Sequence, residues 1–198
     1  MDTTTQIYLK IMLKGGGSVE GDSSAAGYEG QIDIDSFSFS VSAKPQAVKG
    51  TGAKQIEANL DFDSVSISKV LDRASLQLAM AMGDNDTSQG AGTGRKRKSF
   101  TEATISVDQQ YVQFERTGKY RNEVVIFSLY DGYIVKTQLR TSESGAGASI
   151  REDIELSFHN FEITYYAEQR DESGIQADRS NWRPLAFGFK TEREVQKA

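Results

Sequence analysis

The sequence predicts a mainly β protein with one short helix, and three observations carry that prediction. Residues 7–13 alternate: Ile7, Leu9, Ile11 and Leu13 fall on one side, Tyr8 and Lys10 on the other. A period of two over this length is a half-buried strand. Segments dense in Val, Ile, Phe, Tyr, Thr and Ser are separated by glycine-rich breaks, with 18 glycines against 2 prolines, as expected of strands and turns. Two strands also change faces midway. Ile32 and Ile34 are even, but Phe37, Phe39 and Val41 are odd; Ile154, Leu156 and Phe158 are even, but Phe161, Ile163 and Tyr165 are odd. A one-residue slip sends the following side chains to the wrong face unless a bulge or sharp bend absorbs it. Sheets that curl, as in barrels and tightly packed sandwiches, need such points.

In chain order, the strand at 7–13 is followed by the glycine-rich stretch 15–30, too poor in apolar residues to order itself well and read as a flexible loop. A strand over 31–42 leads into the polar segment 43–59, long for a hairpin and read as an excursion that carries contacts. Residues 60–68 alternate again. The run 72–83 is rich in Ala, Leu, Met and Gln, which favour a helix. Ser75 is placed as its N-cap and Gly83 just past its end, giving a helix over about 76–82. A low-complexity insertion, 84–99, contains four consecutive basic residues. Strands follow near 101–108, 111–116, 122–131 and 133–141. "VVIFSLY" (124–130) is apolar on both faces and so is covered on both. A Gly/Ser loop at 142–149, the face-changing strand and a last strand near 183–190 complete the chain. No internal repeat or linker divides it, so a single domain over 1–198 is expected.

Composition excludes several function classes. The net charge of −5 argues against a general affinity for nucleic acid. Without cysteine there is no disulfide, thiolate nucleophile or Cys-containing zinc site, and one histidine cannot build a His-rich metal centre. The start, "MDTTTQIYLKIMLKGGG", lacks the pattern of a secretory leader, and no apolar run is long enough to span a bilayer. A cytoplasmic protein that leaves by another route than a cleaved leader is the expectation.

Few residues point to chemistry. His159, beside Glu155 and Glu162, has no nucleophile signature near it and reads as a structural or surface residue at the change of face. Asp33 with Asp35, and Asp61 with Asp63, share a face at i, i+2, which suits either a cation or acid/base pair or the solvated side of a strand; without EF-hand spacing the solvated side is favoured. "GAGTGRKRKS" fails both the phosphate-loop and the dinucleotide patterns. Its Arg95, Lys96, Arg97 and Lys98 suit a solvated segment, or contact with nucleic acid, cargo or an acidic partner, and the acidic whole favours the solvated segment. No catalytic residue, cofactor or metal is assigned.

The order of features resembles the haemolysin-coregulated protein (Hcp) family, the inner-tube subunits of the type VI secretion system. The resemblance is carried by "IYLKI", "GSVEGD", "IDIDSFSFSV", "ISKVLDRASLQLAMAM" and "IVKTQLRTSESGAGASIREDIELSFHNFEITYY". Lys69, Asp72 and Ser75 take the family's Lys-x-x-Asp-x-x-Ser positions before its helix. Phe158, Phe161 and Tyr165 take its late-strand positions, with Ile163 replacing the usual aromatic. The chain is longer than the family pattern, with the excess in 15–28, 84–98 and around 108–122.

The resemblance implies a small antiparallel β-barrel of two packed sheets with one helix alongside. It implies a homo-hexameric ring that stacks into a hollow tube, capped by a valine-glycine repeat spike protein, ejected by a contractile sheath and able to carry effectors in its lumen. It implies no catalysis, no specific nucleic acid and no membrane insertion. Lys44, Lys49 and Lys54, in the long segment 43–59, are the expected ring-stacking contacts. The competing readings are a phage-type tail tube protein, a β-barrel binding module, in particular a nucleic-acid binder acting through residues 95–98, and an enzyme of unknown type using Asp33, Asp35 and His159.

Overall fold

The computed structural model describes residues 3–47, 56–82, 99–111, 123–144, 147–166 and 184–189. In chain order these form β1 (Thr3–Leu13), β2 (Ile32–Ile34), β3 (Ser36–Ser38), β4 (Val41–Ala47), β5 (Ile56–Phe62), β6 (Val65–Val70), α1 (Arg73–Met82), β7 (Ser99–Tyr111), β8 (Glu123–Ser144), β9 (Gly147–Ser157), β10 (Asn160–Tyr166) and β11 (Pro184–Phe189). Every pairing is antiparallel.

One nine-stranded sheet runs β2-β1-β7-β8-β9-β6-β3, with β10 on β8 and β11 on β10. β8 belongs to both halves of it. Val125–Tyr130 pair with β7 and β10, and Tyr133–Ser144 pair with β9. The expected strands at 122–131 and 133–141 are thus one strand with a bend at Asp131 (φ 50°) and Gly132. Beyond Tyr111, the expected strand at 111–116 lies outside the described residues.

The two halves close on one apolar cluster. Leu9, Ile11, Ile105, Phe127 and Leu129 come from the first half, Val65, Ile67, Ile134, Ile154 and Leu156 from the second, and Ala74, Leu78 and Ala81 from α1. Each large apolar side chain so buried contributes about 1.5–3 kcal/mol.

The changes of face sit where the sheet turns from one half to the other. β2 pairs with β1 and β3 with β6, so residues 32–38 cross between the halves. The crossing point is Asp35, whose N–H donates to Ser68 O at 2.8 Å. The path of strands therefore begins and ends on the same stretch of chain. No ladder joins β2 to β3, so its order is open where a closed barrel was expected. The second change falls at Phe158–His159, between β9 and β10, opposite the bend in β8. Gly132 permits that bend: a Cβ there would overlap the Phe100 ring and the Ser157 carbonyl.

Two segments depart from expectation. Residues 43–59 fall largely on β4 and β5, which pair as a separate two-stranded ribbon; residues 48–55 lie outside the described residues. The 15–30 segment is anchored rather than loosely attached. Val19 and Tyr28 are buried, and the Tyr28 ring stacks on Tyr8 with centroids 3.9 Å apart. The sequence signal was thin because two large side chains among small polar ones do this work.

Candidate functional site

Lys69, Asp72 and Ser75, singled out in the sequence, meet at the start of α1. Lys69 follows Val65 and Ile67 on the inward face of β6, so its side chain enters the core and is 0% exposed. Its ammonium donates to Asp72 Oδ1 at 2.5 Å, Ser75 Oγ at 2.8 Å and the Val70 carbonyl at 3.1 Å. Glu152, on β9 directly opposite Lys69, brings Oε2 to 3.0 Å. An ammonium this deep is tolerable only when paired and hydrogen-bonded.

Asp72, not Ser75, is the N-cap. Its carboxylate accepts the Ser75 N–H at 3.1 Å, and Ser75 Oγ accepts the Asp72 N–H at 3.2 Å. This is a capping box with Ser at the third helical position, and it starts α1 at Arg73, a turn earlier than expected. Gly83 lies outside the described residues. Together the cluster ties α1 to β6 and β9.

Glu152 is the member that sequence reasoning missed. It lies in phase with the buried Ile154 and Leu156, just as Lys69 lies in phase with Val65 and Ile67. Two opposite charges in core phase on two strands were the available signal.

His159 is exposed at the β9–β10 bend. Its N–H donates to Tyr130 O at 3.1 Å, and its Nδ1 contacts the Asp131 carbonyl, so the imidazole fastens one bend to the other. Neighbouring carboxylates are engaged elsewhere: Glu155 accepts from the Ser64 hydroxyl and Glu162 from Thr164 at 3.4 Å. The residues of an acid/base group are not brought together here.

The paired aspartates are separated. Asp33 sits on β2 opposite Tyr8, while Asp35 leaves the strand and ion-pairs with Arg151 at 2.7 Å. Asp61 stands opposite Ser42 on the ribbon, and Asp63 contacts the Ser40 hydroxyl at its root. Among the described residues, no three acidic or histidine side chains form a metal-sized group, and no helix is long and apolar enough to cross a membrane.

Phe158 and Phe161 join Phe39, Phe62 and Phe127 in an aromatic cluster with centroids 4.8–6.0 Å apart, while Tyr165 is 44% exposed. Lys44 lies on β4 opposite Asn59. Lys49, Lys54, Arg95, Lys96, Arg97 and Lys98 lie outside the described residues.

Arg73, at the head of α1, holds the 15–30 segment. Its Nε donates to Asp22 Oδ1 at 2.6 Å, and the Glu20 N–H donates to Gln77 Oε1 at 3.3 Å. The Arg73 hydrogen bonds hold the Asp22 carboxyl below its usual range, and Asp22 in turn raises Arg73. Burial raises the Tyr8 phenol, with Asp33 and Asp108 adding to it.

The comparisons with known proteins agree with this architecture. The fold is similar to a solved structure described as a type six secretion system protein, with a TM-score of 0.64, 14% identity and coverage of 94% of this chain and 96% of that one. It is similar to Hcp1 from Salmonella typhimurium at a TM-score of 0.59 and 18% identity, covering 94% of each chain. It is also similar to a doubly substituted Hcp1 from E. coli EAEC 042, at 0.59 and 14%, covering 92% of this chain and 97% of that one. Identities this low speak for the fold alone. No curated protein matches the chain in sequence. The family model described as "Type VI secretion system effector, Hcp" matches residues 8–165. That match spans most of the sequence, and the chain belongs to the Hcp family.

Proposed function

We propose that the chain is a subunit of the type VI secretion inner tube. It forms hexameric rings, the rings stack into a hollow tube, and a contracting sheath ejects the tube behind a spike protein. The observation that carries this reading is the extent of the likeness. It covers 94% of this chain and 96% of a solved type VI secretion protein, so the whole subunit is alike rather than a shared fragment. The family is one of structural tube proteins, and the buried Lys69 cluster is suited to stiffening a subunit rather than to chemistry.

In this reading the protein waits in the cytoplasm and leaves with the firing tube, with effectors held in the lumen. Lys44, Lys49 and Lys54 contribute to ring stacking, and charge reversal of all three weakens stacking while leaving single rings intact. Arg95, Lys96, Arg97 and Lys98 contact cargo or a partner. Negative-stain electron microscopy of the purified protein over a concentration series tests the reading. Six-fold rings with a central hole are expected; monomers at every concentration would sink it.

A further inference from the structure

Three charged side chains are buried among the described residues, Lys69, Asp108 and Glu152, and two of them face each other across the β6–β9 ladder. The rest of that ladder is permissive. On the core face Val65 meets Leu156 and Ile67 meets Ile154; on the other face Ser66 meets Glu155 and Ser68 meets Asp153. Side chains repeat every two residues along a strand, so a two-residue slide of β6 keeps every side chain on its face. One such slide sets Val65 opposite Ile154 and Lys69 opposite Ile150. The other sets Val65 opposite Phe158, Ile67 opposite Leu156 and Lys69 opposite Ile154.

The apolar pattern and the small serines do not choose strongly among these three pairings. The buried charges do. In either slid pairing Lys69 faces an isoleucine and Glu152 loses the residue directly opposite it, so both charges are buried without their partner. Connectivity does not choose either. The register of β9 on β8 is set locally, since Ser144 pairs with Gly147 across a short connection. Between β6 and β9, by contrast, lie α1, β7 and β8. The other neighbour of β6 is the three-residue β3, whose Ser36, Phe37 and Ser38 pair with β6 alone and travel with it.

From this degeneracy we propose that Lys69 and Glu152 are the register key of the β6–β9 ladder, selecting one of three pairings that the apolar pattern leaves open. The pair acts by choice rather than by net stability, because taking two charges out of water costs about as much as their attraction contributes. Lys69 also reaches Asp72 and Ser75, so the same choice fixes where α1 begins against β9. A slid β6 carries the start of the helix about 6.6 Å along β9, two residues of strand. The tube-subunit reading is not needed for this key, and its failure would leave the key standing.

The chain has no cysteine, so disulfide trapping reads the register without interference. Ser66→Cys with Glu155→Cys reports the observed pairing, in which the two residues stand directly opposite and within reach of a bridge. Ser66→Cys with Asp153→Cys, and Ser66→Cys with Ser157→Cys, report the two slides; in the observed pairing these are diagonal neighbours about 7–8 Å apart, too far to bridge. Each cysteine pair is placed in the full chain, with and without Lys69→Met, Glu152→Leu. The proteins are unfolded and reduced, then refolded in a glutathione buffer. Thiol labelling gives the closed fraction and circular dichroism checks the fold. With the key present, only the Ser66–Glu155 pair is expected to close. Without it, the slide-reporting pairs are expected to close at least about tenfold more often. Slide-reporting pairs that stay open without the key, or that close equally with it, overturn the proposal. Lys69→Leu with Glu152→Met guards against a packing failure peculiar to one replacement. Failure of both apolar backgrounds to fold also overturns the proposal, because the pair then supplies stability that the fold requires rather than choosing among pairings.

Discussion

Lys69 Nζ lies 3.0 Å from Glu152 Oε2, on directly paired residues of β6 and β9, with side chains 0% and 2% exposed. Neither charge reaches water, so each depends on the other. Lys69→Met leaves Glu152 buried without its counter-charge and is expected to cost about 3–5 kcal/mol. The double variant Lys69→Met, Glu152→Leu replaces the pair by apolar groups and is expected to recover more than half of that loss. Urea unfolding at constant m gives both numbers. A single variant as stable as the native chain would show that the pair holds nothing.

Asp72 has two duties, as cap and as ion partner, and substitution separates them. Asp72→Asn keeps an acceptor for the Ser75 N–H, whereas Asp72→Ala removes it, at a cost of about 1 kcal/mol beyond the Asn variant. Hydrogen exchange of the first α1 amides is the readout, with faster exchange expected in the Ala variant. Equal exchange in the two would return the cap to another residue.

The Asp22–Arg73 pair makes a small, salt-sensitive contribution that depends on pH. The folded-state carboxyl is depressed below its unfolded value. Its stabilisation is therefore present above the unfolded value and disappears as pH falls through the folded one. Both side chains are more than half exposed, so added salt weakens the effect. A carboxyl NMR titration should give Asp22 a low midpoint that rises in Arg73→Gln. An unmoved midpoint would mean that the pair does not form in solution.

At the double bend, the glycine is expected to matter more than the histidine. Gly132→Ala forces a methyl group into the Phe100 ring and the Ser157 carbonyl and is expected to cost about 1–3 kcal/mol or more. His159→Ala removes an exposed fastening and is expected to cost no more than about 1 kcal/mol. Thermal melts of the two variants decide the order. The reverse ranking would move the weight of the bend to the imidazole.

Much of this fold could be read from local patterns. Ile7 to Leu13 fixed the first strand, and the two changes of face marked 35 and 158–159 as bends, because period two cannot slip silently. Patterns failed where partners are distant in the chain. Nothing near Lys69 announced Glu152, and nothing in 15–30 showed that Tyr28 would stack on Tyr8. The N-cap was misplaced because Asp72 and Ser75 both favour capping and only their geometry ranks them. The ribbon was hidden by its length: its two arms are joined through eight intervening residues, too many for a turn signal to link.

The pairing of β1 also sets an order of events in folding. Ile7 meets Ile34 on one side and Val107 on the other. As the chain emerges from the ribosome, β1 is made before β7, its main neighbour, which follows one hundred residues later. Until then one edge of an apolar strand has only the three-residue β2 beside it and its second edge stands bare. Contacts of such long range make folding slow and leave early chains open to mispairing. On a half-made chain, the exposed β1 edge is the point at which yield depends on keeping neighbouring nascent chains apart.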